Sequence, residues 1–304
     1  MPVPLTPWPG GRREFMRQGA LAALGVLAAP PFLRAAPVRP LFTGVGITAD
    51  IRRAAELKEA GADFIVEEVA RFLMPDRPDT DFEASRALAA VSPLPVLGCN
   101  SFLRDPRLRC TGPDADHPRV LAFAETAFRR LGSIGGEYIV FGSNTARQLP
   151  PGWSKAQGDA QFVALLRAMG PLAARHGITV AVEAQQASEC NYLNHLVEVA
   201  TVVAAANQPG IRVLADLFHM ARMGDAPEDL VRAMPWVGVV ELAENRNRTL
   251  PGVEGDDFRP FFAALAAGGY SGRVDIEGSG TPEQVRAAFT TVRRQAAEVE
   301  AARG

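Results

Sequence analysis

A chain of 304 residues, 47% of them hydrophobic, is long enough to bury one large core or two modest ones. Its formal net charge of -2 excludes a scaffold built to neutralise many phosphates, because such surfaces are basic; no nucleic-acid partner is expected. Three cysteines, Cys99, Cys110 and Cys190, make neither an even disulfide framework nor a metal-type spacing, and read as small apolar residues.

At the amino terminus, residues 11 to 17 read Gly-Arg12-Arg13-Glu14-Phe15-Met16-Arg17. An Ala- and Leu-rich stretch over residues 20 to 29 follows, then Pro30, Pro31 and Ala35-Ala36. Paired arginines, an aromatic residue two positions on, a short apolar run and small residues make up a twin-arginine export signal. That run of about ten residues falls well short of the roughly 20 that a membrane helix needs. Residues 1 to 36 are therefore expected to be a signal peptide or leader. The implied partner is the twin-arginine translocation machinery, and the implied location is the periplasm or another exported destination.

Beyond the leader, apolar β-type runs alternate with helical patterns. Strands are predicted at 41 to 47, 63 to 67, 95 to 99, 136 to 141, 178 to 182, 211 to 215, 237 to 240 and 273 to 276. Helical segments follow near 49 to 60, 81 to 90, 116 to 132, 155 to 176, 191 to 206, 226 to 233, 256 to 267 and 282 to 300. This alternation predicts an α/β fold over residues 37 to 304, a single (β/α)8 TIM barrel, close to the roughly 250 residues typical of that architecture. A doubly wound open sheet is disfavoured, since no Gly-rich fingerprint follows the first strand.

In such a barrel all strands end at one face, where the active site lies. Glu67 and Glu68 close the second strand, Asn100 the third, Gly142 and Ser143 the fourth, Glu183 the fifth, Asp216 the sixth, Glu241 the seventh and Glu277 the eighth. With no Lys or Arg at the strand ends, converging carboxylates repel one another unless a cation neutralises them. A divalent metal is the simplest remedy; an oxygen-rich set favours Mn2+ or Mg2+, with Co2+ or Zn2+ as the other candidates. Of His117, His176, His195 and His219, only His219 stands at a strand end, which excludes an imidazole-rich zinc cluster.

The stretches Val182-Glu183-Ala-Gln-Gln-Ala-Ser-Glu189-Cys-Asn191-Tyr-Leu-Asn194 and Asp216-Leu-Phe-His219-Met220 closely resemble the sugar phosphate isomerase/epimerase family. So do Glu244-Asn245-Arg-Asn-Arg248-Thr-Leu-Pro251-Gly252 and Gly-Tyr270-Ser-Gly272-Arg-Val-Asp-Ile-Glu277. This is the xylose isomerase-like barrel group that includes ketose 3-epimerases and hydroxypyruvate isomerases. Asp63-Phe-Ile-Val-Glu67-Glu68, Leu73-Met-Pro75-Asp76 and Val140-Phe141-Gly142-Ser143-Asn144-Thr-Ala-Arg147 are similar to the family's first half, and the resemblance spans about residues 42 to 290.

The resemblance implies that Glu183, Asp216 and Glu277 bind one divalent metal, with Glu183 and Glu277 also the acid/base pair on opposite faces of a ketose. It implies substrate contacts from Glu189, His219 and Arg248; Glu68 and Asn100, at neighbouring strand ends, are counted with them. Glu241 stands where the family places a metal-binding histidine, and is expected to be a fourth oxygen ligand. Two other outcomes of that exchange are a site filled only together with substrate and a degenerate site without catalysis. Glu254 stands where the family usually has glycine.

The expected activity is therefore isomerisation or epimerisation of a sugar or sugar-derived ketone through an enediolate, with free sugars or glycosides favoured over phosphorylated ones by the export signal. A lyase or dehydratase using the same metal site and a non-catalytic periplasmic carbohydrate-binding barrel are the alternatives, with homo-oligomerisation left open. The endonuclease IV branch would need several histidines and a basic groove.

Overall fold

The computed structural model describes residues 40–303, and the expected leader with its Arg12-Arg13 pair lies outside them. Eight strands form one closed parallel barrel: β1 (Phe42–Thr48), β2 (Phe64–Glu68), β3 (Val96–Asn100), β4 (Tyr138–Phe141), β5 (Thr179–Glu183), β6 (Ile211–Asp216), β7 (Val237–Leu242) and β8 (Gly272–Ile276). Each pairs with its successor, and β8 closes on β1.

The helices are α1 (Ala54–Ala60), α2 (Asp79–Val91), α3 (His117–Ser133), α4 (Asn144–Arg147), α5 (Lys155–Arg175), α6 (Leu196–Ala206), α7 (Leu217–Met223), α8 (Pro227–Ala233), α9 (Arg259–Ala267) and α10 (Pro282–Ala301). All eight predicted strands are present within two residues of their predicted starts. Two short α-helices, α4 and α7, lie outside the predicted segments: α7 follows β6 at once, and α4 follows β4 after only Gly142 and a left-handed Ser143. The helix expected from residue 191 begins only at Leu196, because Leu193 takes a left-handed conformation (φ 59°) and His195 is extended. Ser154 with Gln157 on α5, and Thr281 with Gln284 on α10, form capping boxes that satisfy the free N–H groups of the first turn.

Strand parity divides the core in two. Outward residues such as Val213 and Ala215 of β6 join the large layer between barrel and helices. Inward residues Phe64, Val66, Leu97, Tyr138, Val140, Ala181, Leu214 and Val239 fill the barrel itself. The Phe64 and Tyr138 rings fit because Gly46 and Gly98 stand beside them: a Cβ on Gly98 would lie 2.5 Å from the Tyr138 ring. The barrel interior is thus filled with side chains, and a cavity opens at its carboxyl-terminal mouth. Among the described residues no helix is long and apolar enough to cross a membrane.

Candidate active site

The strand period carries the acidic strand ends to the mouth. Glu183, Asp216 and Glu241 share the inward face with Ala181, Leu214 and Val239 of their own strands, and Asp216 is paired in register with Glu241. Glu277 follows β8 by one residue, its N–H donating to Leu242 O at 3.1 Å. Asn100, Gly142, Glu183, Glu189, Glu241, Arg248 and Glu277 line one cavity of about 370 Å3, together with Ser143, Asn144 and Gln185.

Parity also removes one expected member. Glu67 has the opposite direction to Glu68, and its carboxylate is used by Ile51 N at 2.5 Å and Arg71 at 2.5 Å. Glu68 stands at the rim, paired with Arg104 at 3.1 Å and Arg71 at 3.6 Å, and does not line the cavity.

Asp216 ends β6 and begins α7 in the same residue. Its Oδ1 accepts from Phe218 N at 2.8 Å and His219 N at 3.4 Å, an N-cap that leaves Oδ2 facing the cluster. One turn on, His219 is 1% exposed and its Nδ1 accepts from Gln186 N at 3.2 Å. In a neutral imidazole this places the proton on Nε2, which lies 3.5 Å from Asp216 Oδ2 and 3.6 Å from Glu183 Oε1. Burial pulls the ring down to about 4, with Arg248 acting in the same direction, so it is neutral at pH 7. A protonated Nε2 offers a donor and no lone pair for a metal. Asp216 thus presents a carboxylate oxygen to the cluster and His219 an N–H, although ligating atoms of Glu183, Asp216 and His219 also lie within 4.8 Å of one another.

The remaining charges converge. Arg248, from the loop after β7, sets Nη2 3.5 Å from Asp216 Oδ2, 3.9 Å from Glu241 Oε1 and in contact with Glu277, while Nη1 is 3.9 Å from Glu189. Its guanidinium also lies 4.8 Å above the Phe218 ring. So the mouth does contain a cation, delivered by a loop and not by a strand end.

Arg248 leaves the acids under-compensated. Burial holds the Glu183 carboxyl well above its ordinary range, and Asp216 and Glu277 add repulsion. Burial likewise raises Glu241, reinforced by Glu277 and Asp275, and raises Asp216 despite Arg248. Among the described residues, Glu241 Oε2 is buried with no hydrogen-bond partner. Oxygens of Asp216, Glu241 and Glu277 lie within 4.8 Å of one another. A set of crowded, partly orphaned carboxylate oxygens fits a hard divalent cation.

Three contributors were not singled out from the sequence. Asp275 of β8 is fully buried one layer below the mouth, opposite Glu241 in register, and accepts from the Tyr138 hydroxyl at 3.1 Å. Gln185 donates to Glu183 Oε2 at 3.5 Å. Arg147 is fully buried, and none of its guanidinium nitrogens has a hydrogen-bond partner among the described residues. Inward parity from Glu277 would have found Asp275; the other two depend on loop shape.

A family model described as "Xylose isomerase-like TIM barrel" matches residues 54–295. The chain is 30% identical over 165 residues to the 3-dehydro-D-guloside 4-epimerase of Escherichia coli (strain K12), a match covering 51% of this chain and 61% of that protein. The matched stretch thus spans about three fifths of that relative's length. Among solved structures, D-psicose 3-epimerase with D-tagatose from Clostridium cellulolyticum H10 superposes with a TM-score of 0.68 at 19% identity, covering 84% of this chain and 96% of that one. The apo form of 3-keto-D-glucoside 4-epimerase from E. coli gives 0.66 at 21% identity, covering 85% and 99%. At these identities the likeness to solved structures establishes the fold.

Proposed function

The chain belongs to the xylose isomerase-like TIM barrel family, and from that premise we propose that it is a metal-dependent epimerase or isomerase of a sugar-derived ketone. The observation that carries this reading is the position of Glu183 and Glu277. They end β5 and follow β8, line one cavity, and are separated along the barrel wall by Asp216 and Glu241. Two carboxylates so placed can address both faces of a bound carbon.

Glu183, Asp216, Glu241 and Glu277 would hold the divalent ion. When bound, that ion supplies Lewis acidity at a ketone oxygen and acidifies the neighbouring C–H. One glutamate removes the proton, leaving an enediolate, and the facing glutamate returns a proton from the other side, inverting the centre. His219 donates its Nε2 proton to the oxygen where negative charge grows, and Arg248 supplies a second donor. The expected metals remain Mn2+ or Mg2+ first and Co2+ or Zn2+ second, on the hardness of the oxygen set.

The cavity supports an uncharged sugar or glycoside as substrate. Its wall from β3 and β4 presents Asn100, Ser101, Ser143, Asn144 and Thr145, while both lining arginines, Arg104 and Arg248, already face carboxylates. A lyase reaction needs the same first proton transfer and differs only in a leaving group beside the enediolate. The presence of Arg248 among the acids favours a second reading, a carbohydrate-binding barrel in which this guanidinium offsets part of the acidic charge without metal.

Incubation with free ketoses and keto-glycosides in deuterated water separates these readings. The proposal expects solvent deuterium at a carbon beside the carbonyl with Mn2+, Mg2+ or Co2+ present, and its loss in Glu183→Gln and Glu277→Gln by about 10²- to 10⁴-fold. Absence of exchange with every metal and substrate leaves the binding barrel. Export by the twin-arginine route is part of the same proposal; Arg12→Lys with Arg13→Lys should retain the protein in the cytoplasm.

A further inference from the structure

Arg248 reaches the carboxylates from a loop whose backbone is unusual. Asn247 and Arg248 are consecutive left-handed residues, at φ 58° and 52°. Neither is glycine, so this conformation must be imposed by what surrounds it.

Glu244 holds the loop that carries these two residues. It is fully buried, and its carboxylate accepts from Gly252 N at 2.7 Å, Gly255 N at 2.9 Å and Asp256 N at 3.1 Å through Oε1, and from Glu254 N at 2.5 Å and Thr249 Oγ1 at 2.9 Å through Oε2. The backbone closes the same loop, Glu244 N donating to Thr249 O at 2.9 Å. One side chain therefore ties both limbs of segment 245–256 to the end of β7 and satisfies donors that would otherwise be stranded. The glutamate at position 254 takes part through its backbone, while its side chain pairs with Arg246 at 3.1 Å and leaves Arg248 free to enter the mouth.

We propose that Glu244 is a positioning residue that aims Arg248 at the carboxylate cluster of the mouth, and that the guanidinium so aimed competes with a divalent cation for the same oxygens. The first half stands on loop geometry alone; the second rests on the metal-dependent reading of the site. Arg248 Nη2 contacts Glu277 and is within 4 Å of Asp216 and Glu241, which are the oxygens grouped closely enough to hold an ion. Releasing it removes a like charge from beside the metal.

The test compares wild type, Glu244→Gln, Glu244→Asp, Arg248→Ala and the Glu244→Gln/Arg248→Ala double variant. Glu244→Gln should raise hydrogen exchange at the amides of Gly252, Glu254, Gly255 and Asp256 by about 100-fold and speed dicarbonyl labelling of Arg248 several-fold, with no such rise at strand amides. Glu244→Asp, which keeps the charge, should recover part of both. Calorimetric Mn2+ affinity should rise about tenfold in Glu244→Gln and in Arg248→Ala, with no further gain in the double variant. General damage to the site would instead lower it. Unchanged exchange, or faster exchange with unchanged Arg248 labelling, overturns the positioning role. If wild type binds no Mn2+, the competition half falls with the metal reading, while exchange and labelling still decide the role of Glu244.

Discussion

At His219 a single hydrogen bond decides between two chemistries. Because Nδ1 accepts from the Gln186 amide at 3.2 Å, the neutral ring carries its proton on Nε2 and faces the acids as a donor. The same burial gives a measurable pH signature. The unfolded chain takes up this proton near pH 6.5, the folded one only at about 4, so between those values the unfolded state binds more protons and stability falls as pH falls. In metal-free protein, wild type should lose stability relative to His219→Gln by a few kcal/mol at most between pH 7 and pH 4, with no further divergence below. Urea melts of the two proteins at pH 7, 5 and 4 measure it; a constant difference would mean that the ring takes up its proton at the same pH in the folded and unfolded states. The residue type and its spacing from Asp216 were legible in the sequence, but the tautomer was not, since it depends on a loop amide 33 positions away in the chain.

Among the elements, the residue that follows β4 contributes by what it lacks. A Cβ on Gly142 would clash with Glu183 Oε2 and come within 2.6 Å of Gln185 Nε2, so the glycine keeps the neighbouring strand's carboxylate in the mouth. If the proposed proton transfer holds, Gly142→Ala should cost at least tenfold in deuterium exchange, with little change in melting temperature, since the displaced groups are polar and border a cavity. Equal losses of stability and activity would place Gly142 in the fold and not in the site. Between β7 and β8 the pair Glu241 and Asp275 carries a second signature. Burial lifts Asp275 from 3.8 to about 8, with Glu277 and Asp216 adding repulsion and the Tyr138 hydroxyl opposing it. The folded state therefore holds this proton more tightly than the unfolded one, and the associated stability, complete below about pH 4, is lost as pH rises through 8. Asp275→Asn keeps an acceptor for Tyr138 and removes that loss. Its advantage in metal-free melts should grow from near zero at pH 4 to a few kcal/mol above pH 8. Strand ends were readable because β-runs and their terminal acids are local; the partners that adjust them lie across the barrel.

For the molecule as a whole, the alternation of apolar runs and helical patterns was enough to anticipate a closed eight-stranded barrel, since length and parallel connectivity leave few other ways to bury those strands. Charge balance at the mouth was not legible, because Arg248 arrives from a loop held by Glu244 and Asp275 lies one layer below the ends. That balance has a global consequence. Buried acids whose carboxyls are raised make the metal-free barrel less stable as pH increases, and an ion that binds their charged forms offsets the loss. Saturation at about 100 times Kd contributes roughly 2.7 kcal/mol, which for a barrel of this size is a rise of about 5 °C in Tm. Mn2+ added to chelator-treated protein should produce this rise at pH 8 and a smaller one at pH 5, where protons compete for the same oxygens. Asp216→Asn combined with Glu277→Gln should abolish the rise while leaving the metal-free protein at least as stable as wild type, because two repelling carboxylates are gone. Scanning calorimetry at both pH values checks it, and a rise that survives the double substitution would place the ion outside this mouth.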